Sequence, residues 1–283
     1  MDDRASGRAG DAPIGIFDSG LGGLTVLKEV RARLPAENLI YLGDTARVPY
    51  GPKSPRTITR FAMEAALFLL RQGVKLLVVA CNTSSAMALD TLRATLRIPV
   101  IGVIEPGIRA AVAAARGEKI GVIGTLGTIS SEVYQRGIAE RMPAAEIHAV
   151  ACPLFVPLVE EGWREHPVTA MVAEEYLGPL RKAGVDTLVL GCTHYPVLED
   201  VIRETMGSGT RLVDSAQVVA EEVGGVLDGT VLAAAGDTVP WTRFYATDVP
   251  GRMANWGERI WGMHIPEVTR VEVDELATPK TTS

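Results

Sequence analysis

Seven short, nearly continuous apolar runs punctuate the chain: PIGIF (13–17), NLIYLGD (38–44), KLLVVAC (75–81), IPVIGV (98–103), KIGVIG (119–124), TLVLGC (187–192) and TRLVDS (210–215). Each is followed by a segment with apolar residues three and four apart, the period of a helix that buries one face. SPRTITRFAMEAALFLLRQG (54–73) is an example, with Ser54 placed to cap and Pro55 at the first helical position. A strand with one wet face alternates apolar and polar residues, whereas a continuous run is covered on both faces. The pattern therefore predicts an α/β fold of mainly parallel sheets flanked by helices. Pro179, inside TAMVAEEYLGPLRKAG (169–184), is a local exception expected to kink or split its helix.

The chain also repeats itself. IGIFDSGLGGLTVLKEV (14–30) and IGVIGTLGTISSEVYQRGI (120–138) share a strand, a glycine-rich turn and a helix, while VVACNTSSA (78–86) parallels VLGCTHYPV (189–197). Gly15 and Gly121 are separated by nearly the same interval as Cys81 and Cys192, which implies two similar α/β halves. Open parallel sheets bind ligands beyond the carboxyl ends of their strands. Both cysteines fall at that end.

Composition removes several function classes. With a formal net charge of −6 and no basic run, the 283-residue chain lacks the clustered lysines and arginines that grip nucleic-acid phosphates. No apolar stretch approaches the roughly 20 residues that span a bilayer, and MDDRASGRAGDAP has no apolar signal region, so a cytoplasmic protein is expected. Three distant cysteines without a CxxC pair fit reduced thiols better than a disulfide framework or a zinc ribbon.

Two thiols at equivalent points of two similar halves would face each other across the cleft between them. One thiolate could remove a proton from one face of a tetrahedral carbon while the other thiol returns a proton to the opposite face. Cysteine suits both duties because its reference pKa of ~8.5 can be tuned to either form near neutrality. The carbanion formed between the two steps needs donors already in place. Asn82 and Thr83 follow the first cysteine, Thr193 follows the second, and N–H groups at the starts of the next helices favour a substrate carboxylate. Asp18 and Ser19 lie near the first strand end, Glu160 lies in VPLVEEGW, and His194 is two residues from Cys192, where it could move a proton. Cys152 has no polar company and reads as a small buried hydrophobe. Cys192 and His194 lack further ligands at metal-binding spacing. SGLGG (19–23) lacks the third glycine of a dinucleotide fingerprint, which would fall at Thr25, and supports only backbone approach to a small anion.

The stretches GIFDSGLGGLTVL, YLGDTARVPYG, ACNTSSA, IGVIGTLGTI, PLFVPLVEEG and GCTHYP together closely resemble the glutamate racemase family. The resemblance implies interconversion of L- and D-glutamate without cofactor or metal, Cys81 and Cys192 being acid and base, assisted by Asp18, His194 and Glu160. It implies that glutamate is held by Asp18, Ser19, Tyr50, Gly51, Asn82, Thr83, Thr125, Thr128, Thr193 and His194. It further implies supply of D-glutamate for peptidoglycan, a homodimer, and two domains of related fold with the active site between them. These would be 12–105 completed by 218–283, and 106–217, with 1–11 a flexible N-terminal tail and ATPKTTS a flexible C-terminal one.

Three other readings use the same residues. A hydrolase with Cys192 as nucleophile and His194 as base needs one cysteine and leaves Cys81 unexplained. A racemase for aspartate shares the cysteine pair, which dictates reaction type more firmly than side-chain length. A two-lobed binding protein would use the cleft without reaction, but such proteins are often exported and no signal segment is seen.

Overall fold

The computed structural model describes residues 9–236 and 239–277. Its strands are β1 (Ile14–Asp18), β2 (Leu39–Gly43), β3 (Leu76–Val79), β4 (Val100–Gly102), β5 (Lys119–Gly124), β6 (Glu146–Ala151), β7 (Thr187–Gly191), β8 (Arg211–Val213), β9 (Thr242–Ala246) and β10 (Val268–Arg270). They form two sheets, ordered β10-β9-β2-β1-β3-β4 and β6-β5-β7-β8, and every pairing is parallel. Helices connect the strands, as the continuous apolar runs require: β1, β2 and β3 are buried along their whole lengths.

The repeat is real at the level of topology. The order β2-β1-β3-β4 recurs as β6-β5-β7-β8. Gly15 lies opposite Leu77 and Gly121 opposite Leu188, and each cysteine follows that partner by the same number of residues. The two thiols thus leave equivalent strand ends. The C-terminal strands β9 and β10 join the first sheet through β2, so the end of the chain completes the half in which it began.

One core cluster runs through both halves, from Ile14, Ile16 and Val78 to Val122, Leu188 and Leu190. The helices Ile104–Ala114 and Ser215–Leu227, which carry the chain from one half to the other and back, pack on each other within it. Each such fully buried aliphatic side chain contributes on the order of 1.5–3 kcal/mol. A second cluster, with Phe17, Leu42, Leu69 and Val79, covers the opposite face of the first sheet.

Local expectations can be checked individually. Ser54 caps the helix Pro55–Arg71, its side chain accepting from the Thr57 N–H at 3.3 Å. Pro179 does not split its helix, which runs unbroken from Pro167 to Ala183. Pro179 and Glu175 are both exposed, so water can take the carbonyl that loses its N–H partner, while Leu177 and Leu180 remain packed. Residues 1–8 of the expected N-terminal tail lie outside the described residues, but Ala9–Asp11 form a 3-10 turn because buried Lys75 donates to the Gly10 carbonyl and Asn38 Nδ2 to that of Asp11. Of the expected C-terminal tail, Ala277 ends the helix Val273–Ala277, and 278–283 lie outside the described residues. Among the described residues, no helix is long and apolar enough to cross a membrane.

Candidate active site

The carboxyl ends of β1, β3, β5 and β7 converge on a small, tight cavity between the halves. Its wall includes Cys81 and Cys192, with Ser19, Tyr50, Gly51, Asn82 and Thr83 from the first half and Thr125, Thr193 and His194 from the second. Three expected residues stand behind that wall rather than on it: Asp18, Thr128 and Glu160. Each touches a residue that does line the cavity. Thr193 donates to Asp18 Oδ1 at 3.4 Å, the Thr128 hydroxyl is 3.4 Å from that of Thr83, and Glu160 meets His194.

Cys81 stands at the N-cap of the helix Asn82–Thr95, where its Sγ accepts from the Ser84 N–H at 3.5 Å. Burial pushes its thiol up to about 11, and the Asp18 carboxylate beside it acts in the same direction. The Ser84 N–H and the Ser19 hydroxyl oppose that rise by favouring the thiolate. Asp18, fully buried at the end of β1, accepts from the Gly20 N–H at 3.0 Å. Burial raises its carboxyl above the ordinary value, against the pull of His194 and of backbone N–H groups in the glycine-rich loop. A thiol and a carboxyl of similarly disfavoured charge thus lie together on one side of the cavity.

The other side is built differently. Cys192 Sγ is 3.9 Å from His194 Nδ1, and His194 Nε2 is 3.1 Å from Glu160 Oε1. Burial alone would depress His194, but its hydrogen bonds to Cys192 and Glu160, with their charges, outweigh that and raise it to about 10. Both contacts favour the imidazolium, the form in which both ring nitrogens donate. Burial also works to raise Glu160, yet the bond and charge of His194 and the charge of Arg252, whose Nη2 is 3.5 Å from Oε2, hold it below the usual range. The edge of Trp256 closes over the imidazole with centroids 6.0 Å apart. The expected helix directly after Cys192 is absent: a 3-10 turn, Tyr195–Leu198, precedes the helix Glu199–Met206. Pro196 sits in that turn. Only the Cys81 side is supported by the start of a long helix.

Hydroxyl contacts join the halves across the cavity floor. Thr83 Oγ1 is 2.9 Å from Thr125 Oγ1, which is 3.1 Å from Thr128 Oγ1, and the Gly127 N–H donates to the Gly51 carbonyl at 3.0 Å. Tyr50 is oriented by its hydroxyl, which donates to the buried Asp44 carboxylate; Asp44 also accepts from Arg47 Nε at 2.6 Å and Thr247 Oγ1 at 2.9 Å.

Several participants were not legible in the sequence. Gly22 of SGLGG allows close approach of the second half: a Cβ there would lie 2.4 Å from Thr193 Oγ1 and 2.5 Å from His194 Nδ1. Tyr134 donates to Asn82 Oδ1 at 2.8 Å from a helix of the other half. Arg252 reaches Glu160 from the C-terminal region. Asp44 and Gly22 lay inside quoted motifs and Tyr134 inside the repeated stretch, whereas Arg252 lay in none. Among the described residues, no group of three or more histidine, cysteine, aspartate and glutamate side chains is placed to hold a metal ion.

Comparison with known proteins places this geometry in context. Residues 22–223 match the family model described as Asp/Glu/hydantoin racemase. The chain is 52% identical over 261 residues to a glutamate racemase of Geobacter metallireducens, covering 92% of this chain and 97% of that protein. Its fold is similar to that of a glutamate racemase isoform from Bacillus anthracis, with a TM-score of 0.88 at 40% identity over 93% of this chain and 98% of the other. It is also similar to the glutamate racemase of Francisella tularensis solved in complex with D-glutamate, with a TM-score of 0.87 at 37% identity over 94% and 99% of the two chains.

Proposed function

The chain belongs to the Asp/Glu/hydantoin racemase family, and from that premise we propose that it interconverts L- and D-glutamate, with Cys81 and Cys192 as its two acid–base groups. One observation carries the mechanism: thiols from equivalent strand ends of two similar halves line one small cavity. In the D-to-L direction Cys81 removes the α-proton and Cys192 returns one to the opposite face. In the L-to-D direction the roles exchange.

The surroundings differ because the two thiols are prepared differently. Asp18 stands by to take the proton from Cys81, whose thiol is held up by burial, and the Ser19 hydroxyl favours the thiolate that results. On the other side the His194 imidazolium, fixed by Glu160 and Arg252, holds a proton in contact with Cys192 Sγ. The carboxylate and carbanion are met by donors from Asn82, Thr83, Thr125, Thr193 and the backbone at Ser19 and Gly51, with Tyr50 on the wall; Thr128 supports Thr83 and Thr125. Every acid and base in this scheme is a side chain of the protein itself.

The division into 12–105 with 218–283, and 106–217, is our reading of the domains, supported by strand membership of the two sheets. The same reading places the enzyme in the cytoplasm, as a homodimer, supplying D-glutamate for peptidoglycan. The Cys192–His194–Glu160 contact would also suit a thiol nucleophile with an oriented base. That reading, however, leaves Cys81 idle in the same cavity.

The test is to incubate L-glutamate with metal-free protein in D₂O, follow circular dichroism, and weigh the recovered amino acid. Loss of optical activity with α-deuterium in the product is expected. Cys81→Ser and Cys192→Ser should each nearly abolish the reaction, and full turnover in either would sink the two-base scheme. Faster turnover of aspartate than of glutamate would reassign the substrate.

A further inference from the structure

Asn82 is the first residue of the helix after Cys81, is almost wholly buried, and lines the cavity. A side-chain amide can present either its oxygen or its nitrogen, and only one serves an anionic substrate. We infer that Tyr134 is a positioning residue that locks the Asn82 amide with Nδ2 toward the cavity, as a donor to a substrate carboxylate. The inference rests on the proposed glutamate chemistry and assigns a residue of the second half to the alignment of a group in the first.

The polarity of the contact decides the orientation. Tyr134 is completely buried in the helix Val133–Arg141, and burial keeps its phenol protonated. Its single hydrogen goes to Asn82 Oδ1 at 2.8 Å, which leaves Nδ2, for which no acceptor is found among the described residues. Rotating the amide would break the Tyr134 bond, leaving the phenol hydrogen only the neighbouring Ser215 hydroxyl, and would turn Oδ1 toward an anion, which opposes it. The ring itself has little freedom. A Cβ on Gly107 would lie 2.9 Å from the phenol oxygen, and one on Gly191 would lie 3.4 Å from Cε2, so two glycines shape the slot that holds it. Tyr134 also crosses from one half to the other, so the amide is aligned only when the halves are together.

Tyr134→Phe removes one oxygen and retains the ring. KM and kcat are measured in both directions for this variant, for Asn82→Ala and for the double variant. If Tyr134 acts through Asn82, Tyr134→Phe raises KM for both enantiomers about tenfold and changes kcat by less than about twofold, as expected for loss of a contact made equally in ground and transition states. The double variant then behaves like Asn82→Ala alone. An unchanged KM in Tyr134→Phe, or single effects that multiply in the double variant, overturns the inference. Should Tyr134→Phe fail to fold, Gly107→Ala, whose added carbon presses on the same hydroxyl, carries the same expectation and the same refutation. No glutamate turnover by the unaltered protein would overturn the proposed function, and with it the carboxylate assigned to Nδ2.

Discussion

Glu160→Gln isolates what the charge behind His194 does for the reaction. Glutamine keeps an oxygen facing Nε2 and removes the carboxylate. Opposite unit charges at the observed 3.1 Å attract by about 5 kcal/mol at an effective dielectric of ~20. The rise of His194 from 6.5 to about 10 corresponds to a similar roughly 5 kcal/mol. Glu160 is therefore large enough to decide the charge of the ring, although Cys192 shares the effect. In the variant, burial is opposed from the Cys192 side only, and the ring gives up its proton at a lower pH than in the unaltered protein. Positioned acid–base groups contribute on the order of 10²–10⁴-fold, and kcat/KM should fall about 100-fold at pH 8.

Enantiomers are equal in free energy, so that fall must be the same in both directions. The asymmetry appears instead in isotope effects. If Cys192 serves the L-face, its step becomes the slower one: the primary deuterium effect rises for α-deuterated L-glutamate and falls toward unity for the D-form. Initial rates by circular dichroism with both labelled substrates supply the test. A kcat/KM within about threefold of the unaltered enzyme, or isotope effects that do not move, would refute the relay.

Gly22→Ala should cost about 100-fold in kcat/KM with little change in thermal midpoint, because a carbon 2.4 Å from Thr193 Oγ1 must displace the loop or the facing half by about an ångström. Near-normal turnover would show that the loop yields. His194 and Cys81 both hold protons more tightly in the folded state, at about 10 against 6.5 and about 11 against 9.0. Their contribution to stability is complete below pH 6.5 and is lost as pH rises through 10 and then 11. Urea midpoints should therefore fall between pH 7 and pH 10.5, and a steady or rising midpoint would contradict the assignment. Pro179→Ala should stabilise by about 1 kcal/mol or more by restoring a helical N–H donor at an exposed position. A lower thermal midpoint would show that the helix depends on the proline ring.

The seven strands read from continuous apolar runs are present, and in most of them burial on both faces writes itself into consecutive residues, the edge strand β8 being the exception. The other three leave no such trace. β6 is a half-buried edge strand interrupted by Glu146 and His148, β10 is an edge strand of three residues, and β9 carries exposed Arg243. Their pairing comes from the sheet they join, which is a tertiary matter. Pro179 misled for a related reason: a lost helical hydrogen bond need not break a helix where water replaces it, and exposure is decided by packing.

Residues adjacent in the chain, such as Cys81 with Asn82 and Thr83, or Cys192 with Thr193 and His194, could be read directly as chemistry at a strand end. The repeated pattern then implied that the two groups meet. The sequence by itself thus determined the parallel α/β architecture, the duplication and the pair of thiols, since each is a local pattern of hydrophobicity or residue type. Tertiary structure decided which charges tune those thiols and which way the amide beside them points. Glu160 reaches His194, Arg252 reaches Glu160, Gly22 admits Thr193, and Tyr134 turns Asn82, each across a long interval of chain. Hydrogen bonds and Coulomb forces act over a few ångströms of space whatever the separation in sequence, so only the closed fold could reveal them.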